Sequence, residues 1–139
     1  MISLKLDTLE KAIIQLEKGI ERKEQEPTDE LLRDGVIQRF EYTMDLAWKF
    51  IQRYLRIDLQ VEESAIRSKK DLFRESARLG VIDDAERWIA HYEARNYTSH
   101  TYNRQTANNV YAQVLLFLFD VKKLLEVLRS ANGSIIFFV

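Results

Sequence analysis

Val114-Leu115-Leu116-Phe117-Leu118-Phe119 is an unbroken run of six apolar residues. Six residues turn through about 600° of an α-helix, so a single buried stripe cannot cover them. The flanks identify the run as helical, because Val110, Val114, Leu118, Val121, Leu125 and Leu128 recur at steps of three and four between about Thr106 and Leu128. A helix that is apolar all round needs cover on two sides. It is either central in a bundle or shared with a second copy of the chain, and the expectation here is a homodimer.

Working outward, the same periodicity appears at the other end of the chain. Leu6, Leu9, Ile13, Leu16 and Ile20 form one stripe of a first helix that stops at Glu26-Pro27-Thr28. Thr28 or Asp29 can cap a second helix reaching about Leu55, with Val36, Phe40, Ala47, Ile51 and Tyr54 on its core face. Residues 56–67 lose the pattern and read as a connection. Ser68 with Asp71 then opens a short third helix through Leu72, Ala77 and Leu79, which Gly80 closes. Asp83 or Asp84 opens a fourth through Trp88, Ile89 and Tyr92. The predicted fold is all-α, an antiparallel four-helix up-and-down bundle with a short extra helix, formed by one domain over residues 1–132. The apolar tail, residues 133–139, departs from the helical pattern and has the composition of a strand.

The bulk composition is compatible with this and narrows the function. The 139 residues include four glycines, one proline and no cysteine, which excludes a disulfide framework and thiolate metal sites and fits the reducing cytoplasm. The N-terminus lacks a signal-peptide pattern, and no stretch approaches the ~18 apolar residues of a membrane span. A net charge of −1 gives no overall pull on nucleic acid, so a polyanion site must come from local clustering. Residues 64–104 hold eight Lys or Arg against six Asp or Glu, a mild excess in that direction. Within them Lys70, Arg74 and Arg78, and likewise Arg87, His91 and Arg95, recur every four residues as stripes of a kind that is usually solvated. Both tryptophans, Trp48 and Trp88, are expected in the core, and His91 on the surface. Gly-rich nucleotide loops and Glu-x-x-His metal pairs are absent, so no cofactor and no metal are expected.

The chemistry concentrates in Arg95-Asn96-Tyr97-Thr98-Ser99-His100-Thr101-Tyr102. Histidine is the side chain that exchanges a proton near neutrality, and arginine is a permanent cation with a fork of donors suited to phosphate. On a continuous helix the five-residue step from Arg95 to His100 would leave them roughly 140° apart. Cooperation therefore requires a helix break, for which Thr98-Ser99 has the right low propensity, or pairing of two motifs across a dimer axis. A purely structural reading has His100 capping a helix and Arg95 paired with Glu93 or a carbonyl.

The segment resembles the Arg-(polar)-x-x-x-His, x-Tyr motif of the HEPN superfamily, in the branch paired with minimal nucleotidyltransferases. Gln38-Arg39-Phe40-Glu41-Tyr42-Thr43-Met44-Asp45-Leu46-Ala47-Trp48-Lys49 is similar to that family's second-helix signature, and Asp71 to Ile82 to its third. The resemblance covers most of residues 4–129, in family order. It implies a HEPN-like bundle, a homodimer with the two motifs near its axis, and a metal-independent endoribonuclease toxin acting on RNA such as tRNA or mRNA. Its partner would be a minimal nucleotidyltransferase antitoxin that attaches AMP to the motif tyrosine, here Tyr102. Carried over residue by residue, Arg95 and His100 are catalytic, Asn96 supports them, and Arg39, Glu41, Asp45 and Lys49 are candidates for lining the site. Glu41, Asp45 and Lys49 also read as an ordinary exposed helix edge with i,i+4 pairing. Two readings without catalysis remain: a nucleotidyltransferase substrate-binding subunit, and a helical dimerisation module.

Overall fold

The computed structural model describes the backbone of residues 5–137 and the side chains of residues 5–132. Its α-helices are α1 (Asp7–Gln25), α2 (Glu30–Arg53), α3 (Lys69–Arg78), α4 (Ala85–Tyr97) and α5 (Arg104–Phe137). The long helices α1, α2, α4 and α5 make the four-helix bundle, and α3 is the short extra helix packed on α4.

The helix starts follow from side-chain caps. Asp29 accepts the Leu32 N–H at 3.1 Å, Ser68 that of Asp71 at 3.0 Å, Asp84 that of Arg87 at 3.2 Å and Asn103 that of Thr106 at 3.1 Å. Each such cap is worth about 1 kcal/mol. Gly80 ends α3 in the left-handed region at φ 78°, where a side chain would be strained, and this turns the chain into α4. The connection after α2 is more ordered than its sequence suggests. It holds a π turn over Tyr54–Asp58 and a 3₁₀ turn over Glu63–Ile66.

Phe117 occupies the centre of the core. Its ring meets Phe40 edge-on at 5.0 Å, His91 at 5.4 Å and Trp88 at 5.8 Å, an arrangement aromatic quadrupoles favour. The apolar run divides around it. Val114 and Phe117 are fully buried, Leu118 is partly buried, and Leu115, Leu116 and Phe119 are 40%, 52% and 54% exposed on the outer face of α5.

Several expectations are corrected. The buried stripe of α5 runs through Phe117 and Leu124 rather than Leu118, and α5 continues to Phe137, so Gly133 lies within the helix. The strand-like character expected of residues 134–137 does not hold for the backbone; their side chains, and residues 138 and 139 altogether, lie outside the described residues. Leu79 is exposed, and Trp48 is half-buried beneath the ammonium of Lys69, 3.9 Å from its ring.

The clearest reversal concerns the stripe Arg87, His91, Arg95. His91 is fully buried, not on the surface, because this face of α4 turns towards α5 and α2 and finds carboxylates there. His91 Nε2 lies 2.6 Å from Asp120 Oδ2, Arg87 donates to Asp120 Oδ1 at 2.7 Å, and Gln113 lies 2.9 Å from His91 Nδ1. A neutral ring with its proton on Nε2 satisfies every partner, donating to Asp120 and accepting from the Gln113 amide. Burial pulls the imidazole pKa below its ordinary value, against the opposing effect of its hydrogen bond to Asp120. The unfolded chain therefore binds a proton below about pH 6.5 that the native state excludes, and stability falls as pH drops through that range. The urea midpoint should fall from pH 7.5 to 5.5 more steeply for the wild type than for His91→Gln. Asp120→Asn should cost about 2 kcal/mol in the same measurement at pH 7.5, since it weakens two hydrogen bonds to a buried acceptor.

Candidate functional site

The motif is split between the last turn of α4 and a single 3₁₀ turn over Thr98–His100. Arg95 lies inside α4, while His100 and Tyr102 lie beyond the break, on the short connection to α5. Local hydrogen bonds set the break. The Thr98 hydroxyl turns back to donate to the Arg95 carbonyl at 2.7 Å, Ser99 does the same to the Asn96 carbonyl at 3.4 Å, and the Thr101 hydroxyl donates to the Thr98 carbonyl at 3.1 Å. Short hydroxyl side chains that bond nearby carbonyls compete with helix continuation. The expected break at Thr98-Ser99 is present.

Arg95 is held from α2. Its Nε and one terminal nitrogen donate to the two oxygens of Asp45, each at 3.1 Å, the other terminal nitrogen donates to Thr98 Oγ1 at 3.1 Å, and Glu41 stands 3.8 Å away. Glu41 and Asp45 are therefore not merely an exposed helix edge: they hold the motif arginine across the bundle. Hydrogen bonding to Asp45, with the charges of Asp45 and Glu41, raises the guanidinium pKa from an already high value, so the group is a fixed cation. Three of its five N–H donors are engaged, which leaves one on each terminal nitrogen for an incoming oxyanion.

His100 and Tyr102 are both exposed, Tyr102 at 86%, and their rings meet edge-on with centroids 6.0 Å apart. Asn96 is exposed at the end of α4. Among the described residues no hydrogen bond or ion pair joins Arg95 directly to His100. Arg39 lies elsewhere. Its guanidinium donates to the Gln15 carbonyl of α1 at 2.6 Å and packs over Gly19. Lys49, one turn beyond Asp45, borders a groove with Gln52, Arg53, Arg56 and Ile57. Among the described residues no three His, Asp or Glu side chains converge as a metal-ligand group, and no helix is long and apolar enough to cross a membrane.

This arrangement, an arginine locked by carboxylates of the second bundle helix and a histidine and tyrosine displayed on the turn that follows, sits in a chain whose residues 4–130 match the family model described as nucleotidyltransferase substrate binding protein like. The chain belongs to this family. A family relative, "Probable ribonuclease HepT" of Haemophilus influenzae, is 40% identical over 99 residues, which span 70% of this chain and 68% of that protein. A solved Haemophilus influenzae structure, described as revealing the fold of a substrate binding domain of a nucleotidyltransferase, superposes with a TM-score of 0.82 at 34% identity, covering 90% of this chain and 99% of the other. A Thermus thermophilus structure superposes with a TM-score of 0.75 at 30% identity, covering 87% and 98%. The HEPN-like all-α fold expected from the sequence is thus shared with solved members of the family.

Sequence reasoning named the residues that meet at Arg95 but not the pairing itself. Asp45 and Arg95 are 50 residues apart, and no local spacing records a contact between them. By sequence Thr98 is only a helix breaker, although its hydroxyl also takes one donor of the guanidinium.

Proposed function

We propose that this protein is a HEPN-type toxin, a metal-independent endoribonuclease neutralised by a minimal nucleotidyltransferase that AMPylates Tyr102. The observation that carries the reading is the pairing of an oriented Arg95, with two donors unengaged, and an accessible His100 at one helix break. The family relative named as a probable ribonuclease supports it.

The chemistry follows from the groups. The 2′-oxygen of RNA attacks the adjacent phosphorus, forming one P–O bond while the bond to the 5′-oxygen breaks. One proton leaves the 2′-hydroxyl and one reaches the departing 5′-oxygen. His100 serves one of these transfers, and the imidazole of a second motif across the dimer axis serves the other. Arg95 meets the charge that builds on the non-bridging oxygens. The products are a 2′,3′-cyclic phosphate and a 5′-hydroxyl. In the regulatory reaction the Tyr102 oxygen attacks the α-phosphorus of ATP in the nucleotidyltransferase site, displacing pyrophosphate and releasing the phenolic proton. The AMP adds charge and bulk beside His100, where RNA must enter.

The dimer rests on α5. Leu115, Leu116 and Phe119 stand at i, i+1 and i+4 on its outer face, an apolar patch that a second copy would cover. Light scattering at micromolar concentration should give about twice the 16.5 kDa chain mass. A monomer that persists on concentration would contradict it and remove the second imidazole.

A second reading, the non-catalytic subunit that presents Tyr102 to a nucleotidyltransferase, is supported by the same exposure of Tyr102 and by the family's description. Incubation with total RNA in excess chelator separates the two. Cleavage that His100→Ala abolishes supports the nuclease, whereas intact RNA together with capture of a small nucleotidyltransferase supports the binding subunit.

A further inference from the structure

The groove along the C-terminal half of α2 continues the face that holds Arg95. Glu41, Asp45, Lys49, Gln52 and Arg56 follow at steps of four, four, three and four, one side of a helix. The N-terminal part of this face is acidic and engaged with Arg95. The next turns reverse sign. Lys49, Gln52, Arg53, Arg56 and Ile57 line an open groove of about 370 Å³.

Its cations are largely uncommitted. Lys49, Arg53 and Arg56 are all exposed. Arg53 has no ion-pair partner among the described residues, Lys49 only grazes the Trp48 ring at 5.7 Å, and Arg56 has one loose pair, with exposed Glu63 at 3.7 Å. Lys69, from the start of α3, adds a further cation over the Trp48 ring. This contrasts with α5, where Lys122 pairs with Glu17, Lys123 with Asp83 and Arg129 with Glu10. The π turn at Tyr54–Asp58, which carries Arg56, is a distortion of a kind that recurs at functional sites.

We infer that this groove is a subsite for the sugar-phosphate backbone of single-stranded RNA flanking the phosphate held at Arg95. From Lys49 to Arg56 the helix rises about 10 Å, a length over which a stacked strand with the ~3.4 Å axial spacing of a duplex carries about three phosphates. Lys49, Arg53 and Arg56 each meet one, Gln52 donates to a phosphate or 2′-oxygen, and Ile57 gives an apolar surface for a ribose. Phosphate contacts of this kind position a strand without reading its sequence. The groove supplies the local clustering that a chain of net charge −1 needs to hold a polyanion. The inference deepens the ribonuclease reading and rests on it for the identity of the substrate.

The test is fluorescence anisotropy with a labelled 2′-O-methyl oligouridylate of about sixteen nucleotides, which the proposed chemistry cannot cleave. Lys49→Gln/Arg53→Gln/Arg56→Gln should bind at least about tenfold more weakly, and the slope of log K against log salt should shrink by about 2, three contacts at roughly 0.7 each. Lys122→Gln/Lys123→Gln/Arg129→Gln, which removes equal charge from α5, should bind like the wild type. Circular dichroism should show both variants folded. Equal loss in the two variants, no loss in the first, or no binding by the wild type would overturn the subsite. So would RNA binding that survives in the groove variant while capture of the nucleotidyltransferase is lost. Groove-dependent binding by a wild type that leaves total RNA intact would keep the subsite and refute the nuclease.

Discussion

His100→Ala and Arg95→Ala should each lower RNA cleavage by at least about 10²-fold, with the helical bundle intact. The two losses have different origins. His100 is exposed, so its removal disturbs no core packing and deletes only the proposed proton-transfer group. Arg95 is partly buried and neutralises Asp45 and Glu41, so Arg95→Ala also leaves two carboxylates facing each other across one helical turn. Urea unfolding of each variant separates loss of stability from loss of chemistry. Arg95→Lys sharpens the test: it keeps the charge but cannot make the bidentate contact to Asp45 while offering donors to a phosphate. Its activity should lie near that of Arg95→Ala. Full activity of Arg95→Lys would show that a point charge suffices, and alanine variants as active as the wild type would leave the motif a structural feature.

Co-expression with the cognate nucleotidyltransferase, in cells supplying ATP, should raise the mass of the chain by one or more AMP units on Tyr102 and suppress its cleavage of RNA by a comparable factor. Tyr102 is 86% exposed, so its phenol can enter another enzyme's site without local unfolding. Its ring also touches His100, so whatever is attached there occupies the space in front of the imidazole. Tyr102→Phe should stay unmodified and keep cleaving, because the ring still packs on His100 and the proton-transfer group is untouched. Peptide mass spectrometry locates the adduct. An adduct on another tyrosine, or inhibition of Tyr102→Phe by mere binding of the nucleotidyltransferase, would remove covalent blocking at Tyr102 from the mechanism.

Particular residues show what the sequence made legible. Apolar stripes placed α1, α2 and α5, and short polar residues at helix starts placed the cap at Ser68 and narrowed the others to Thr28 or Asp29 and to Asp83 or Asp84, because both signals are local. Thr98 and Ser99 marked the break for the same reason. In the six-residue apolar run, by contrast, any stripe is equally apolar, and only packing against Phe40 and Trp88 selects Phe117. A basic residue every four positions looks solvated, which puts His91 on the surface by sequence, whereas the acid that buries it lies 29 residues later. A signal was present all the same. Phe117, Asp120 and Leu124 follow at steps of three and four, which puts a carboxylate on the buried stripe of α5, where a partner is obligatory. Arg39 shares the second-helix signature with Asp45 but not its face, and its side chain belongs to the α1–α2 contact.

The most direct measurement is end-group analysis of a defined RNA cut by the purified chain in excess EDTA. The account predicts fragments ending in 2′,3′-cyclic phosphate and 5′-hydroxyl, and no cut when the nucleotide 5′ to the scissile phosphate carries 2′-deoxyribose, since the attacking oxygen is then missing. RNA that stays whole unless Mg²⁺ is added, or fragments bearing 5′-phosphate, would contradict it.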